Sequence, residues 1–170
     1  MDRGPTMTID DVDALSEATF IERFGDIAEH SAWVAERAAI SRPFADREAL
    51  VDAFQRAIAT ATRNEQTALI AAHPDLAGRA ALAPDSAREQ EGAGLESLTD
   101  AEFTRFTELN EAYRHRFGFP FILAVKGADK HTILAAFEAR VGGGRVEEFW
   151  TALSQVMRIV RFRLEDRVDG

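Results

Sequence analysis

Ala-Ala-His-Pro-Asp-Leu-Ala-Gly occupies residues 71–78, and Asp-Ser-Ala-Arg-Glu-Gln-Glu-Gly-Ala-Gly-Leu occupies residues 85–95. Apolar residues at helical spacing ahead of this stretch place His73 on the apolar face of a helix. Pro74 disfavours helical geometry at the residue before it, so we predict that this helix ends at His73. The imidazole should therefore emerge beside an apolar surface, ahead of a loop over residues 74–85.

A second helix is predicted to open at Ser86. Ser86-x-x-Glu89 has the spacing of a capping box, in which each side chain bonds the other residue's backbone N–H. This structural interpretation accounts for Ser86 and Glu89, but it does not account for Gln90. A helix N-terminus also presents free N–H groups and a positive dipole end, so it can hold a carboxylate ligand. Both interpretations stay open, and the helix is predicted to break near Gly92 and Gly94.

The rest of the chain is dominated by helical spacing, and alternating β-type runs are nearly absent. Helices are predicted at about residues 9–15, 20–27, 30–39, 46–62, 130–141 and 145–166. A further helix starts at the capping box Thr99-x-x-Glu102 and ends at Gly118. The continuous apolar run over residues 119–125 contains Pro120 and has no strand partner, so we predict a buried extended connector. The predicted fold is an all-α, single-domain multi-helix bundle with this extended Phe-Pro-Phe connector.

Length and composition limit the classes of function. With 170 residues, 46% of them hydrophobic, we expect one domain at residues 9–168 after a flexible extension at residues 1–8. A net charge of −9 lacks the basic footprint of nucleic-acid binding, and no apolar run approaches the ~20 residues that span a membrane. The chain has no cysteine, which excludes disulfides and thiolate nucleophiles and fits a cytoplasmic location. Dispersed histidines give no metal-ligand spacing, so no metal is expected.

In addition to Glu89, a histidine and an arginine could take part in catalysis. His73 has a reference pKa suited to proton transfer, although a lone histidine on an apolar face is more often a core residue or a helix C-terminal cap. On the last predicted helix, Arg161 and Arg163 lie on opposite borders of an apolar stripe that includes Val146 and Trp150. Spacing does not choose between the two arginines.

Several longer motifs carry a family resemblance. They are His73-Pro74-Asp75-Leu76-Ala77-Gly78, Ser86-x-x-Glu89-Gln90, Gly92-Ala93-Gly94-Leu95, Leu109-Asn110-x-x-Tyr113 and Arg116-Phe117-Gly118-Phe119-Pro120-Phe121-Ile122. In order and spacing, the chain resembles the decarboxylases of 2-oxo-4-hydroxy-4-carboxy-5-ureidoimidazoline (OHCU) over roughly residues 10–168. One departure is Glu29-His30-Ser31-Ala32-Trp33, where the family commonly has proline before the tryptophan. Losing that proline should change local rigidity more than chemistry.

The resemblance implies a cofactor-independent carboxy-lyase of urate catabolism that forms (S)-allantoin, with an all-α fold and usually a homodimer. It implies that His73 is the catalytic acid or base, that Glu89 is its partner, and that the family's C-terminal arginine is Arg163. The substrate-lining positions that it implies are Pro74, Ser86, Ala87, Arg88, Glu89, Gln90, Phe119, Pro120, Phe121, Ile122 and Leu123. Two alternatives are a non-catalytic helical binding module and a metal-assisted ureide hydrolase.

Overall fold

The computed structural model describes residues 5–78 and 82–170. The first four residues of the predicted extension, and residues 79–81 of the predicted loop, lie outside this part of the chain. The all-α prediction is confirmed, because the described residues form helices and no strand. The helices are α1 (Ile9–Ala14), α2 (Glu17–Phe24), α3 (Trp33–Ala39), α4 (Arg47–Ala59), α5 (Arg63–Ala71), α6 (Pro84–Gly92), α7 (Asp100–Phe117), α8 (Lys130–Arg140) and α9 (Arg145–Arg167).

The described residues fall into two compact units. The first unit contains the chain up to Leu69 together with Met157–Gly170. Its core packs α2, α3 and α4 around Phe20, whose ring lies 6.3 Å from that of Phe54 between centroids. Met7 joins the C-terminal end, because its N–H donates to the Arg167 carbonyl at 3.0 Å. The flexible extension at residues 1–8 stays a prediction.

The second unit, Ile70–Val156, contains α6, α7 and α8. The capping box that starts α7 is confirmed, since Glu102 N–H donates to Thr99 Oγ1 and Thr99 N–H donates to Glu102 Oε1. Gly118 ends α7 in the left-handed conformation, with φ of 79°. That conformation suits glycine because it has no Cβ. The turn directs the chain into the predicted connector, which follows with no helix or strand.

The predicted start of α6 is wrong. This helix begins at Pro84, its N-cap is Ala83, and no side chain caps it. Pro84 explains the earlier start, because its fixed φ suits the first helical position and its missing N–H costs no bond there. Ser86 consequently lies inside the first turn, and Ser86 and Glu89 do not form the predicted capping box.

The predicted apolar stripe of α9 is wrong at its N-terminal end. Val146 and Trp150 are 63% and 50% exposed, whereas Phe149 is buried. Periodicity defines one face of a helix, but the neighbouring elements decide how much of that face is covered. Within the described ranges, no helix has the length and apolarity needed to cross a membrane.

Candidate active site

His73 lies where α5 gives way to a loop, as the sequence predicts. Regular helix stops at Ala71, and one further turn carries the chain to His73, whose N–H donates to the Ile70 carbonyl at 3.2 Å. The histidine is 6% exposed, although it stands at the start of a loop. Burial at a helix end is compatible both with a structural residue and with a catalyst shielded from bulk water.

The loop after His73 is strained and firmly held. Ala77 adopts a φ of 59°, a left-handed conformation that costs a residue with a Cβ about 1–2 kcal/mol. The side chain of Gln90, from α6, compensates by bonding the backbone twice. Gln90 Oε1 accepts from Ala77 N–H at 3.0 Å, and its Nε2 donates to the Asp75 carbonyl at 3.2 Å. Persistent strain of this kind is found mainly at functional sites, where the surroundings over-determine the backbone.

Helix α7 holds the same loop from a second direction. Asn110 Nδ2 donates to the Leu76 carbonyl at 2.9 Å, and Arg114 donates through Nε and Nη2 to Asp75 Oδ1 at 3.1 and 3.0 Å. Asn110 is 8% exposed, so its bond to Leu76 is sheltered from water. The segment that follows His73 is therefore anchored to both α6 and α7.

The predicted substrate-lining residues of α6 separate into two groups. Ser86 and Gln90, one helical turn apart, are buried. Ala87, Arg88 and Glu89 are partly exposed, and Arg88 forms an ion pair with Asp85. Since no capping box is present, the orientation of Glu89 follows from the placement of α6, which the bonds of Gln90 hold against the loop.

The connector packs against Tyr113 of α7. The rings of Phe119 and Phe121 meet Tyr113 edge to face, with centroids 5.8 and 5.4 Å apart. Within the second unit, α7 thus contacts both the loop after His73 and the predicted substrate-lining connector.

The two candidate arginines of α9 differ sharply. Arg161 is one-third exposed and pairs with Glu48 and Glu165 at the surface. Arg163 is 3% exposed, and its Nη1 donates to the Ile27 carbonyl at 3.0 Å and to Glu29 Oε2 at 3.2 Å. Both arginines belong to the first unit. The functional role of Arg163, which the family resemblance implies, stays a prediction.

Glu29 is a residue whose part in this arrangement the sequence analysis missed. It is 2% exposed, and the next residue, His30, has a φ of 46°. His30 and Ala77 are the non-glycine residues with left-handed backbone in the part of the chain that the structure describes. His30 directly follows Glu29, which pairs with Arg163, and Ala77 lies four residues after His73. The sequence feature that could have revealed the role of Glu29 is the Glu29-His30-Ser31 motif.

Gln90→Ala is expected to lower the free energy of unfolding by about 2 kcal/mol, because it leaves the buried Ala77 N–H without its acceptor. It should also accelerate hydrogen exchange at the Ala77 amide. The matched control is Gln66→Ala, which removes a buried amide that bonds the Ile58 carbonyl at 3.0 Å in the first unit. The control should cost similar stability and leave exchange at Ala77 unchanged. Equal protection of Ala77 in Gln90→Ala and the parent would contradict the proposed anchoring.

No group of three or more His, Asp or Glu side chains that could hold a metal ion occurs among residues 5–78 and 82–170.

Comparison with known proteins identifies close relatives. A sequence model of the family described as OHCU decarboxylase matches residues 13–165. The 2-oxo-4-hydroxy-4-carboxy-5-ureidoimidazoline decarboxylase of Haloferax volcanii is 45% identical, over 95% of this chain and 96% of that protein. The uric acid degradation bifunctional protein PucL of Bacillus subtilis is 44% identical over 94% of this chain and 32% of its own length. A crystal structure of (S)-allantoin synthase superposes with a TM-score of 0.80 at 36% identity, covering 96% of this chain and 54% of that one.

Proposed function

The chain belongs to the OHCU decarboxylase family, and from that premise we propose that it decarboxylates 2-oxo-4-hydroxy-4-carboxy-5-ureidoimidazoline in urate degradation. The single observation that supports the proposed active site at His73 is the loop that follows it, which side chains of other helices hold in place. A buried histidine stands ahead of a strained turn that Gln90 and Asn110 both hold. Backbone strain of this kind is concentrated at functional sites, and this supports a catalytic role for the histidine.

The substrate supplies its own electron sink. Its name places a carboxyl and a hydroxyl group on ring carbon 4, next to carbon 5, which carries the ureido group and is joined to nitrogen by a double bond. When CO₂ leaves, the electron pair of the broken bond forms a C4=C5 double bond, and the ring nitrogen gains a proton. The resulting enol becomes a ketone when its hydroxyl loses a proton and carbon 5 gains one. The protein's tasks are to orient the substrate, move protons and exclude water.

His73 is the group proposed for proton transfer. An imidazole with a reference pKa near neutrality can both accept and donate a proton at working pH, which typically contributes ~10²–10⁴-fold to a rate. Glu89 would orient the imidazole or contact the polar edge of the ring. Delivery of the proton to one face of carbon 5 would produce a single enantiomer, (S)-allantoin.

Arg163 and the remaining residues are proposed to bind the substrate. An arginine offers a fixed fork of donors for a carboxylate or carbonyl group, and the burial of Arg163 beside Glu29 supports a role that needs a fixed guanidinium. The proposed lining consists of Pro74, Ser86, Ala87, Arg88, Gln90 and residues 119–123. No organic cofactor or metal takes part in this mechanism.

The remaining assignments concern the assembly and location of the enzyme. We propose one functional domain at residues 9–168, which the family match over residues 13–165 supports because it continues through both compact units. A homodimer is proposed from the family resemblance, and light scattering in solution measures it. A cytoplasmic location is proposed because a chain without cysteine needs no oxidising compartment.

The decisive experiment follows CO₂ release and optical rotation from freshly generated substrate. Purified protein should accelerate CO₂ loss and give optically active allantoin, and a chelator should leave the rate unchanged. Racemic allantoin that forms at the spontaneous rate would exclude the proposed function. Inactivation by the chelator would instead favour a metal-assisted ureide hydrolase.

A further inference from the structure

The backbone at the centre of the connector presents a pair of hydrogen-bonding groups. Leu123 is the partly exposed member of residues 119–125, whereas its neighbours Ile122 and Ala124 are 2% and 7% exposed. Among the described residues, none accepts from the Leu123 N–H or donates to its carbonyl. The other polar group of each of these two peptide units, the Ile122 carbonyl and the Ala124 N–H, is bonded. An extended segment with one open residue resembles the edge of a sheet, which binds ligands through main-chain groups.

Arg140 holds the peptide unit between Ile122 and Leu123. Its Nη1 donates to the Ile122 carbonyl at 2.7 Å, while Nε and Nη2 donate to Glu148 Oε2 at 3.1 and 2.9 Å. The guanidinium also lies over the Phe121 ring, 4.3 Å from its centroid. Because the guanidinium contacts the Glu148 carboxylate, the Ile122 carbonyl and the Phe121 ring at the same time, its plane is fixed.

The carboxylate of Glu148 is itself held in place. It is 5% exposed and accepts from the Tyr113 hydroxyl at 2.5 Å. Burial and the neighbouring Glu148 raise the pKa of Tyr113 well above its usual range, so the hydroxyl keeps its proton and continues to donate. Arg140, Glu148 and Tyr113 therefore form one polar network, largely shielded from water, that bonds the connector at the Ile122 carbonyl.

Gln155 holds the peptide unit between Leu123 and Ala124. Its Oε1 accepts from the Ala124 N–H at 2.9 Å. In a trans peptide the C=O and the following N–H point in opposite directions. Since the Ile122 carbonyl points to Arg140, the Leu123 N–H points away from it. Since the Ala124 N–H points to Gln155, the Leu123 carbonyl points away from that side chain. Arg140 and Gln155 thus orient both main-chain groups of Leu123.

We propose that Arg140 is a positioning residue for substrate binding, with Gln155 as its counterpart: together they present the Leu123 N–H and C=O to an N–H and C=O of the substrate's ureide groups. This inference rests on the proposed function. A ureide offers a donor and an acceptor on adjacent atoms, which complements a residue whose own donor and acceptor are both open. The contact lies away from the carbon that loses CO₂, so it strengthens substrate and transition-state binding alike.

The test compares steady-state kinetics of Arg140→Lys and Gln155→Ala with the parent enzyme. Lysine keeps the charge beside Glu148 but lacks the fork that reaches the Ile122 carbonyl as well. KM should rise about tenfold in Arg140→Lys, with kcat within about twofold, because uniform binding is lost. Gln155→Ala should raise KM in the same direction with a near-parental melting temperature, which guards against a folding defect in the first variant. The matched control is Arg105→Lys, at an exposed pair with Glu138, and it should keep the parental KM.

The outcomes separate the two claims. If the parent accelerates CO₂ loss but both variants keep its KM, the positioning role is wrong and the proposed function stands. If both variants melt at a lower temperature and contain less active enzyme, but that active enzyme keeps the parental KM, the network is only structural. If the parent itself gives no acceleration, the proposed function and this inference both fall.

Discussion

His73→Asn is expected to reduce the rate of enzymatic CO₂ loss by about 10²–10⁴-fold, the usual contribution of a general acid or base. Asparagine retains a hydrogen-bonding side chain of similar reach, so the anchored loop should persist. It cannot, however, exchange a proton near neutral pH. The loss should therefore appear mainly in kcat, and the melting temperature should stay close to the parental value. Enantiomeric excess of the allantoin should fall toward the racemic value, because uncatalysed protonation has no preferred face.

The control for this prediction is His115→Asn. His115 lies on the exposed surface of α7, so its replacement should leave both kcat and optical purity unchanged. The outcome that contradicts the proposal is near-normal turnover of His73→Asn with optically active product. In that case His73 would be a buried structural residue, and the proton transfer would belong to another group.

Glu29→Ala is expected to lower the free energy of unfolding by about 3–5 kcal/mol. Glu29 and Arg163 are almost completely buried, and the carboxylate faces the guanidinium at 3.2 Å. Removing the carboxylate takes away the ion pair that it forms with this buried guanidinium, and breaking a buried pair costs far more than the pair itself contributes. Activity should fall as well, because the guanidinium loses one of the groups that orient it. Urea unfolding monitored by circular dichroism measures the stability change.

Two comparisons sharpen the Glu29 prediction. Asp52→Ala removes the partner of Arg56 from an exposed ion pair and should cost under about 1 kcal/mol, since solvent screens that pair. Replacing both buried partners, in Glu29→Gln with Arg163→Met, should cost less than the sum of the single changes. A Glu29→Ala variant no less stable than Asp52→Ala would show that the buried pair is effectively solvated.

Local signals predicted the starts of α1, α7, α8 and α9 correctly, whereas the helices predicted at residues 20–27 and 30–39 occupy Glu17–Phe24 and Trp33–Ala39. Thr8, Ser16, Asp46, Thr99 and Asp129 each accept a backbone N–H at a helix start. A cap depends only on residues within one turn, so spacing along the chain is sufficient to find it. Where two local signals competed, the interpretation failed: Pro84 set the start of α6, and the Ser86-x-x-Glu89 spacing was coincidental.

The predictions for the candidate site depended on longer-range information. The sequence motifs pointed to His73, Glu89 and residues 119–123, but they contained no sign that Gln90 bonds the loop after His73. Neither did they show that Arg140 bonds the connector. These contacts join residues far apart in the chain, and no periodicity encodes them. Asn110, which lies 34 positions from the carbonyl it binds, is the same kind of residue.

The sequence by itself determined an all-α chain, a helix that ends just before His73 and a connector over residues 119–125 without helix or strand, because caps, prolines and apolar spacing act within a few residues. Only the tertiary structure decided which arginine of α9 is buried, since Arg161 and Arg163 border the same stripe and their neighbours come from distant segments. It also decided how the loop after His73 is held. A strained residue such as Ala77 persists only where side chains from other helices compensate for its cost, and that compensation exists only after the chain has packed.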